Sequence, residues 1–295
     1  HEPGGTGGLT LSASSNLNIS KNWSQGFFEY EITVQMPSAG SAPYPVAILL
    51  HGAGGNGAGM ISQYTSVLPG HVLIAVDGYG DTWNISNETS NGPDIEMLND
   101  LITKLKLYNN LDATKFRILG FSNGGALALR AAVEITDSAV DVIVCGGSQT
   151  NDDQYRGGYF YYPADEELTG NAYANDGYDT IKNPIPQRKI VQYNGRNDNV
   201  VPYNGGAFVG LNFLSAADSA FAFAQAQGFS GSQSSGTSYG TDSFLVDYGD
   251  VIFLNDAVGH TTSADHRNLI NKYLEDNYNI TCLLYTSDAA DDTPC

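Results

Sequence analysis

The chain has 295 residues, 41% of them hydrophobic, and a formal net charge of −19 from 32 acidic against 13 basic side chains. A length of this order builds one large domain or two small ones, and the sequence holds no run of about 18 apolar residues that could span a bilayer. The charge disfavours nucleic acid and anionic membranes as partners and suits either plain solubility or salty surroundings.

The chain begins at His1, in keeping with a removed leader, and Asn-x-Ser/Thr triplets at Asn18, Asn22, Asn84, Asn87 and Asn279 are compatible with export. Leu9 to Ile19 and Phe27 to Met36 alternate like an antiparallel pair, with Asn22 to Gly26 between them. Six short apolar runs follow, at Val46 to Leu50, Val72 to Val76, Phe116 to Leu119, Val140 to Cys145, Lys189 to Tyr193 and Val251 to Leu254. Runs of this kind suit strands of a parallel sheet covered on both faces. Helical patterns lie among them at Ile95 to Tyr108, Asn123 to Glu134, Ala216 to Gln227 and Ala264 to Asn277. Gly228 to Gly240 reads as a long loop rather than a linker. The expected architecture is a three-layer α/β fold with a mostly parallel central sheet behind a leading hairpin, one domain over residues 1–281. Cys282 to Asp291 resembles the in-frame translation of a sequencing-library adapter, so residues 282–295 are expected to be foreign to the native body. Cys282 and Cys295 go with that tail, which leaves Cys145 as a small core residue and no native disulfide.

The segment Gly120-Phe121-Ser122-Asn123-Gly124 stands between an apolar strand and a helix. A serine at such a corner, flanked by glycines that remove obstructing side chains, is a nucleophile elbow. It exposes the hydroxyl at a helix N-terminus, where the dipole favours developing negative charge. A serine needs a base, and the base an orienting acid, which in this arrangement follow in the order acid, then histidine, on loops after later strands. Asp198 lies in the loop after Lys189 to Tyr193, and His260 in the loop after Val251 to Leu254. Asp165 is the alternative acid, on the loop of an earlier strand. His266 reads as a solvated residue of the last helix. The loop His51-Gly52-Ala53-Gly54-Gly55 can turn backbone N–H groups toward a developing oxyanion. One donor is expected from Ala53 or Gly54 and the other from Asn123, with His51 bracing the loop. No step of this chemistry needs a metal or a cofactor. The acidic stretches Asn151-Asp152-Asp153 and Asp165-Glu166-Glu167 lack metal-loop spacing and read as solvated faces.

Taken together, these segments resemble the polyhydroxybutyrate depolymerase and feruloyl esterase-like branch of the α/β-hydrolases. The likeness runs from about Pro45 to Asp276 and includes the His-Gly loop, Asp77-Gly78, Trp83-Asn84, Asn91-Gly92-Pro93-Asp94, Gly120 to Gly125, Asp198 to Tyr203 and Gly259-His260-Thr261. It implies cofactor-free hydrolysis of carboxylic esters by an exported protein, with polymeric substrates such as plant cell-wall esters or polyesters; a monomer is expected. Thr262-Ser263-Ala264 stands where relatives carry Trp-Pro-Gly, a departure that touches substrate preference rather than the triad. A small-acyl esterase, a peptidase or a silent binding module are the alternatives. Between Cys145 and the next strand lies Tyr155 to Tyr162, dense in rings. Tyr159 and Tyr161, with Trp83 nearby, are expected either to form an aromatic wall beside Ser122 or merely to pin the insertion to the body.

Overall fold

The computed structural model describes residues 8–276, so the adapter-like tail lies outside the described residues. Nine strands form the central sheet: β1 (Ile32–Gln35), β2 (Tyr44–Leu50), β3 (Val72–Val76), β4 (Leu111–Phe121), β5 (Val140–Gly146), β6 (Lys189–Gly195), β7 (Thr237–Ser238), β8 (Phe244–Asp247) and β9 (Val251–Asp256), in the order β7-β8-β9-β6-β5-β4-β2-β3-β1. The six inner strands from β9 to β3 run parallel, and the flanking strands are antiparallel to their neighbours. Their continuous apolar runs are explained by cover on both faces. Val46, Ile48 and Leu50 of β2 join one core, while Ala47 and Leu49 join the other.

Helices α2 (Asp94–Leu105), α3 (Asn123–Glu134) and α4 (Ala216–Ala226) cover the first face through Leu98, Leu101, Leu127 and Phe223. Helices α1 (Gly57–Tyr64) and α5 (Ala264–Glu275) cover the second through Met60, Tyr64, Leu269 and Tyr273. Among the described residues no helix is long and apolar enough to cross a membrane.

Three sequence expectations are corrected. The leading hairpin is not Leu9–Ile19 against Phe27–Met36 but Ile19–Trp23 against Gly26–Tyr30, closed by Ser24-Gln25. It forms its own two-stranded sheet, and Ile32–Gln35 continues past it to pair with β3. Helix α1 was not expected, because Gly57 and Gly59 mask it, yet Asn56 caps it by accepting from the Gly59 N–H at 2.9 Å. The Gly228–Gly240 segment is not loop throughout: it contains β7, which pairs with β8 before the chain reaches β9. The Tyr-rich insertion forms a three-stranded antiparallel sheet from Tyr155–Arg156, Tyr159–Pro163 and Tyr178–Ile181. Buried Phe160 fastens it to the body by packing on Phe223 of α4, ring centroids 4.4 Å apart.

Candidate active site

The corner between β4 and α3 is built by glycines. A Cβ on Gly120 would stand 1.9 Å from the Gly124 carbonyl oxygen, and one on Gly124 would stand 2.3 Å from that of Leu50. Between them Ser122 adopts φ 55°, ψ −123°, a conformation that side chains rarely take, held by its N–H donating to Gly146 O at 2.8 Å. Strain of this kind persists only where the surroundings over-determine it, and here two strand ends and a helix do so.

The strained turn aims the Ser122 Oγ at His260, whose Nε2 lies 2.9 Å away. On the other side of the ring, His260 Nδ1 lies 2.7 Å from Asp198 Oδ2. The second oxygen of Asp198 accepts from the N–H groups of Val200 and Val201, at 2.8 and 3.0 Å, which fixes the carboxylate's orientation. An ionised carboxylate only accepts, so Nδ1 carries the ring proton and Nε2 is left to accept from the serine. The acid and histidine loops are stitched together: Arg196 N–H donates to Asp256 O at 2.7 Å and Asn197 N–H to Val258 O at 3.0 Å. Asp165 is elsewhere, capping the one-turn helix Glu166–Leu168. Of the two candidate acids, the structure brings only Asp198 to His260.

Beside the serine the backbone amides of the His-Gly loop differ in whether they already have acceptors. Gly54 N–H is engaged by Asp81 O at 2.8 Å, and Gly55 N–H by Gly52 O at 2.9 Å. Among the described residues neither the Ala53 nor the Asn123 amide meets an acceptor. His51 braces the loop: its Nδ1 bonds Gly52 O at 2.8 Å and its Nε2 accepts from Gly78 N–H at 3.0 Å. Trp83 is fully buried, its ring tilted against that of His51 and its indole N–H donating to His51 O at 2.8 Å. It therefore supports the loop and presents no face to a substrate, so it does not extend the aromatic wall expected beside Ser122. The Asn123 side chain reaches the same segment, accepting from Trp83 N–H at 2.7 Å and donating to Trp83 O at 3.1 Å and to Glu88 Oε1 at 2.9 Å. Glu88 gave no signal in the sequence. Burial pushes its carboxyl up, opposed by hydrogen bonds from the N–H groups of Ser86 and Ile85.

A cavity of about 200 Å³ opens beside Ser122, Asn123 and Ala53. Its apolar wall comes from Ile85, Val200, Val201, Phe208, Leu211 and Phe213. Tyr159 and Tyr161 are not part of it. Tyr159 is 52% exposed, and Tyr161 lies under the Arg156 guanidinium, 3.5 Å from ring centroid to carbon. The geometry thus favours the second of the two expectations for this insertion: Tyr155, Phe160 and Tyr161 hold it to itself and to the body, while Tyr159 stands exposed. The acidic stretches are not simply solvated either. Glu166 pairs with buried Arg130 at 3.1 Å and accepts from the N–H groups of Ile95 and Glu96 at the start of α2. Among the described residues no three His, Cys, Asp or Glu side chains gather as a metal-binding set.

His266, expected in solvent, is fully buried at the start of α5. It accepts at Nδ1 from Ser263 N–H, completing a capping box, and its Nε2 sits 3.3 Å from Asp256 without a hydrogen-bond alignment. Burial lowers its pKa to about 4. Below the ordinary histidine value of about 6.5 the unfolded chain takes up a proton that the folded protein refuses, so this contribution to stability is complete above 6.5 and is lost as pH falls toward 4. The expected loss is on the order of 3 kcal/mol. Melting curves at pH 7 and pH 4.5 check it: His266→Gln, which keeps a capping-box residue, should lose less stability between the two than the parent protein. Equal losses would contradict the assignment.

No protein-family profile matches the chain, and no curated protein matches it significantly. Solved structures do. The Bacillus cereus carboxylesterase is 14% identical with a TM-score of 0.53, covering 84% of this chain and 94% of its own. An acetyl xylan esterase from Aspergillus awamori is 14% identical with a TM-score of 0.52, covering 81% and 92%. A carbohydrate esterase family 15 glucuronoyl esterase from Caldicellulosiruptor kristjansonii is 16% identical with a TM-score of 0.51, covering 93% and 80%. With the sheet order described above, these likenesses show an α/β-hydrolase fold.

Proposed function

We propose that the protein is a serine carboxylester hydrolase working through an acyl-enzyme. The observation that carries this reading is the continuous chain Ser122 Oγ, His260, Asp198, at 2.9 and 2.7 Å, with the Ala53 and Asn123 amides meeting no acceptor among the described residues. Ser122 attacks the ester carbonyl as His260 Nε2 takes its proton. Asp198 holds the imidazole and stabilises its cation, while the Ala53 and Asn123 amides receive the tetrahedral oxyanion. The imidazolium then gives the proton to the departing alkoxide, and the alcohol leaves. Water, activated by the same imidazole, attacks the acyl-enzyme, and collapse of the second tetrahedral intermediate frees the acid and restores Ser122.

The finer reading is a preference for aromatic acyl groups of the feruloyl or terephthaloyl kind, taken from single esters or from the exposed units of a polyester. It draws on Phe208 and Phe213 in the cavity wall and on the family resemblance of the sequence. Export and a monomeric state belong to the same reading. A panel of chromogenic hydroxycinnamoyl, acetyl-sugar, hydroxyalkanoate and terephthalate esters tests it, with matched anilides to separate esterase from peptidase. Turnover of none of them would leave a silent binding module. Asp198→Asn should reduce kcat by about 10⁴-fold by holding the wrong imidazole tautomer. A near-neutral effect on kcat would send the assignment of the acid elsewhere.

A further inference from the structure

One wall of the Ser122 cavity is a feature with no counterpart in the sequence expectations. Gly206–Phe208 and Leu211–Phe213 form an antiparallel hairpin directly after the Asp198 loop, and Phe208, Val209, Leu211 and Phe213 all face the cavity. Its base is fastened on the insertion side, where Asp152 N–H donates to Asn212 O at 2.9 Å and Leu214 N–H to Thr150 O at 3.0 Å. Its tip crosses to the opposite rim, where Asn87 Nδ2 donates to Val209 O at 3.0 Å. The cavity is therefore bridged by backbone fixed at both ends.

The tip itself breaks a local rule. Phe208 pairs with Leu211, so the turn is Val209-Gly210, and both residues have positive φ, 48° and 85°. Such a turn is normally Asn-Gly or Asp-Gly, and a β-branched residue at its first position is strained. The same Val209 side chain is 58% exposed, so it gains little from burial. Strain of this kind clusters at ligand clamps, and here it stands on the lining of the Ser122 cavity.

The leaving alcohol must stand near His260 Nε2 to receive its proton, and His260 is not among the cavity's lining residues, whereas Ser122, Ala53 and Asn123 are, which favours the acyl side. We propose that the hairpin 206–213, clasped to Asn87, sets acyl-chain length, admitting straight apolar acyl chains up to about eight carbons or acyl groups built on a single ring. The bound follows from size, since an apolar cavity of about 150 Å³ holds a benzene ring. This rests on the hydrolase reading above and specifies its substrate class.

The test is kcat/KM for p-nitrophenyl acetate, butyrate, hexanoate, octanoate and dodecanoate. The parent enzyme should gain up to about fourfold per methylene as far as hexanoate or octanoate, the factor that burial of one CH₂ supplies. It should then drop at least about tenfold by dodecanoate. Asn87→Ala releases the clasp and should raise the dodecanoate-to-hexanoate ratio about tenfold. Val209→Asn installs the residue this turn prefers, so its Tm should not fall, yet its hexanoate-to-acetate ratio should drop several-fold. Tyr159→Ala, away from the cavity, should reproduce the parent profile. A parent profile that climbs steadily to dodecanoate, or ratios unmoved in both variants, would overturn the proposal while the hydrolase reading stands. Failure of that reading looks different: no ester is cleaved, and a fluorophosphonate does not label Ser122.

Discussion

Ser122→Ala should fold with an unchanged Tm and lose on the order of 10⁴- to 10⁶-fold in kcat. The backbone argument comes first. Serine and alanine bear the same Cβ, so the strain at φ 55° is common to both, and the bond from its N–H to Gly146 O does not involve the side chain. Only Oγ is lost, and with it the atom 2.9 Å from His260. The residual rate should come from the two amides and the cavity, which remain in place. Initial rates on a chromogenic ester together with a thermal melt decide the matter. Turnover within tenfold of the parent would mean that another nucleophile does the work.

The second large effect is on the fold. Gly120→Ala places a methyl 1.9 Å from the Gly124 carbonyl oxygen and 2.7 Å from Gly125 N, both of them backbone atoms that no rotamer change can move. The first turn of α3 would have to slide off β4, so we expect about 3 kcal/mol or more of destabilisation and loss of turnover together. Gly59→Ala is the contrasting change. Its added Cβ meets only Asn56 Oδ1, at 3.5 Å, in a helix where alanine gains up to about 1 kcal/mol over glycine. Urea unfolding of the two variants should move the midpoint in opposite directions. A Gly120→Ala protein as stable as the parent would show that the corner can relax.

The inner strands were legible because burial on both faces leaves a continuous apolar run in each, and Val72–Val76 is a run without a polar atom in its side chains. The candidate triad was legible for another reason: strand ends fix where loops go, so chain order alone points to Asp198 and His260, which the fold brings within hydrogen-bond reach of one another. What escaped was carried by contacts between distant segments. Nothing in Asn87-Glu88-Thr89 tells that Glu88 turns inward to Asn123 or that Asn87 reaches Val209. The hairpin 206–213 is rich in glycine and reads as a loop. The Tyr155–Tyr162 run signalled a need for packing, which it has, but ring density carries no address. His266 was misread because it sits at a helix start, where exposure is usual, while the ring is covered by Tyr193 at 4.4 Å between centroids.

The side chain of Asn84 is fully buried, donating to Gly92 O at 2.9 Å and Glu166 O at 2.7 Å and accepting from the Thr169 hydroxyl. It is also the first residue of an Asn-Ile-Ser triplet. Both amide hydrogens are committed to carbonyls in a space with no room for a sugar, so a glycan attached there as the chain emerges into a secretory compartment would keep this loop from closing. Asn87, three residues on, is exposed but spends its amide on the Val209 clasp. Recombinant production is therefore best suited to a bacterial host that leaves such triplets unmodified, and in a yeast or insect host the yield of active protein becomes a matter of how often Asn84 escapes the glycosyltransferase before it is folded out of reach.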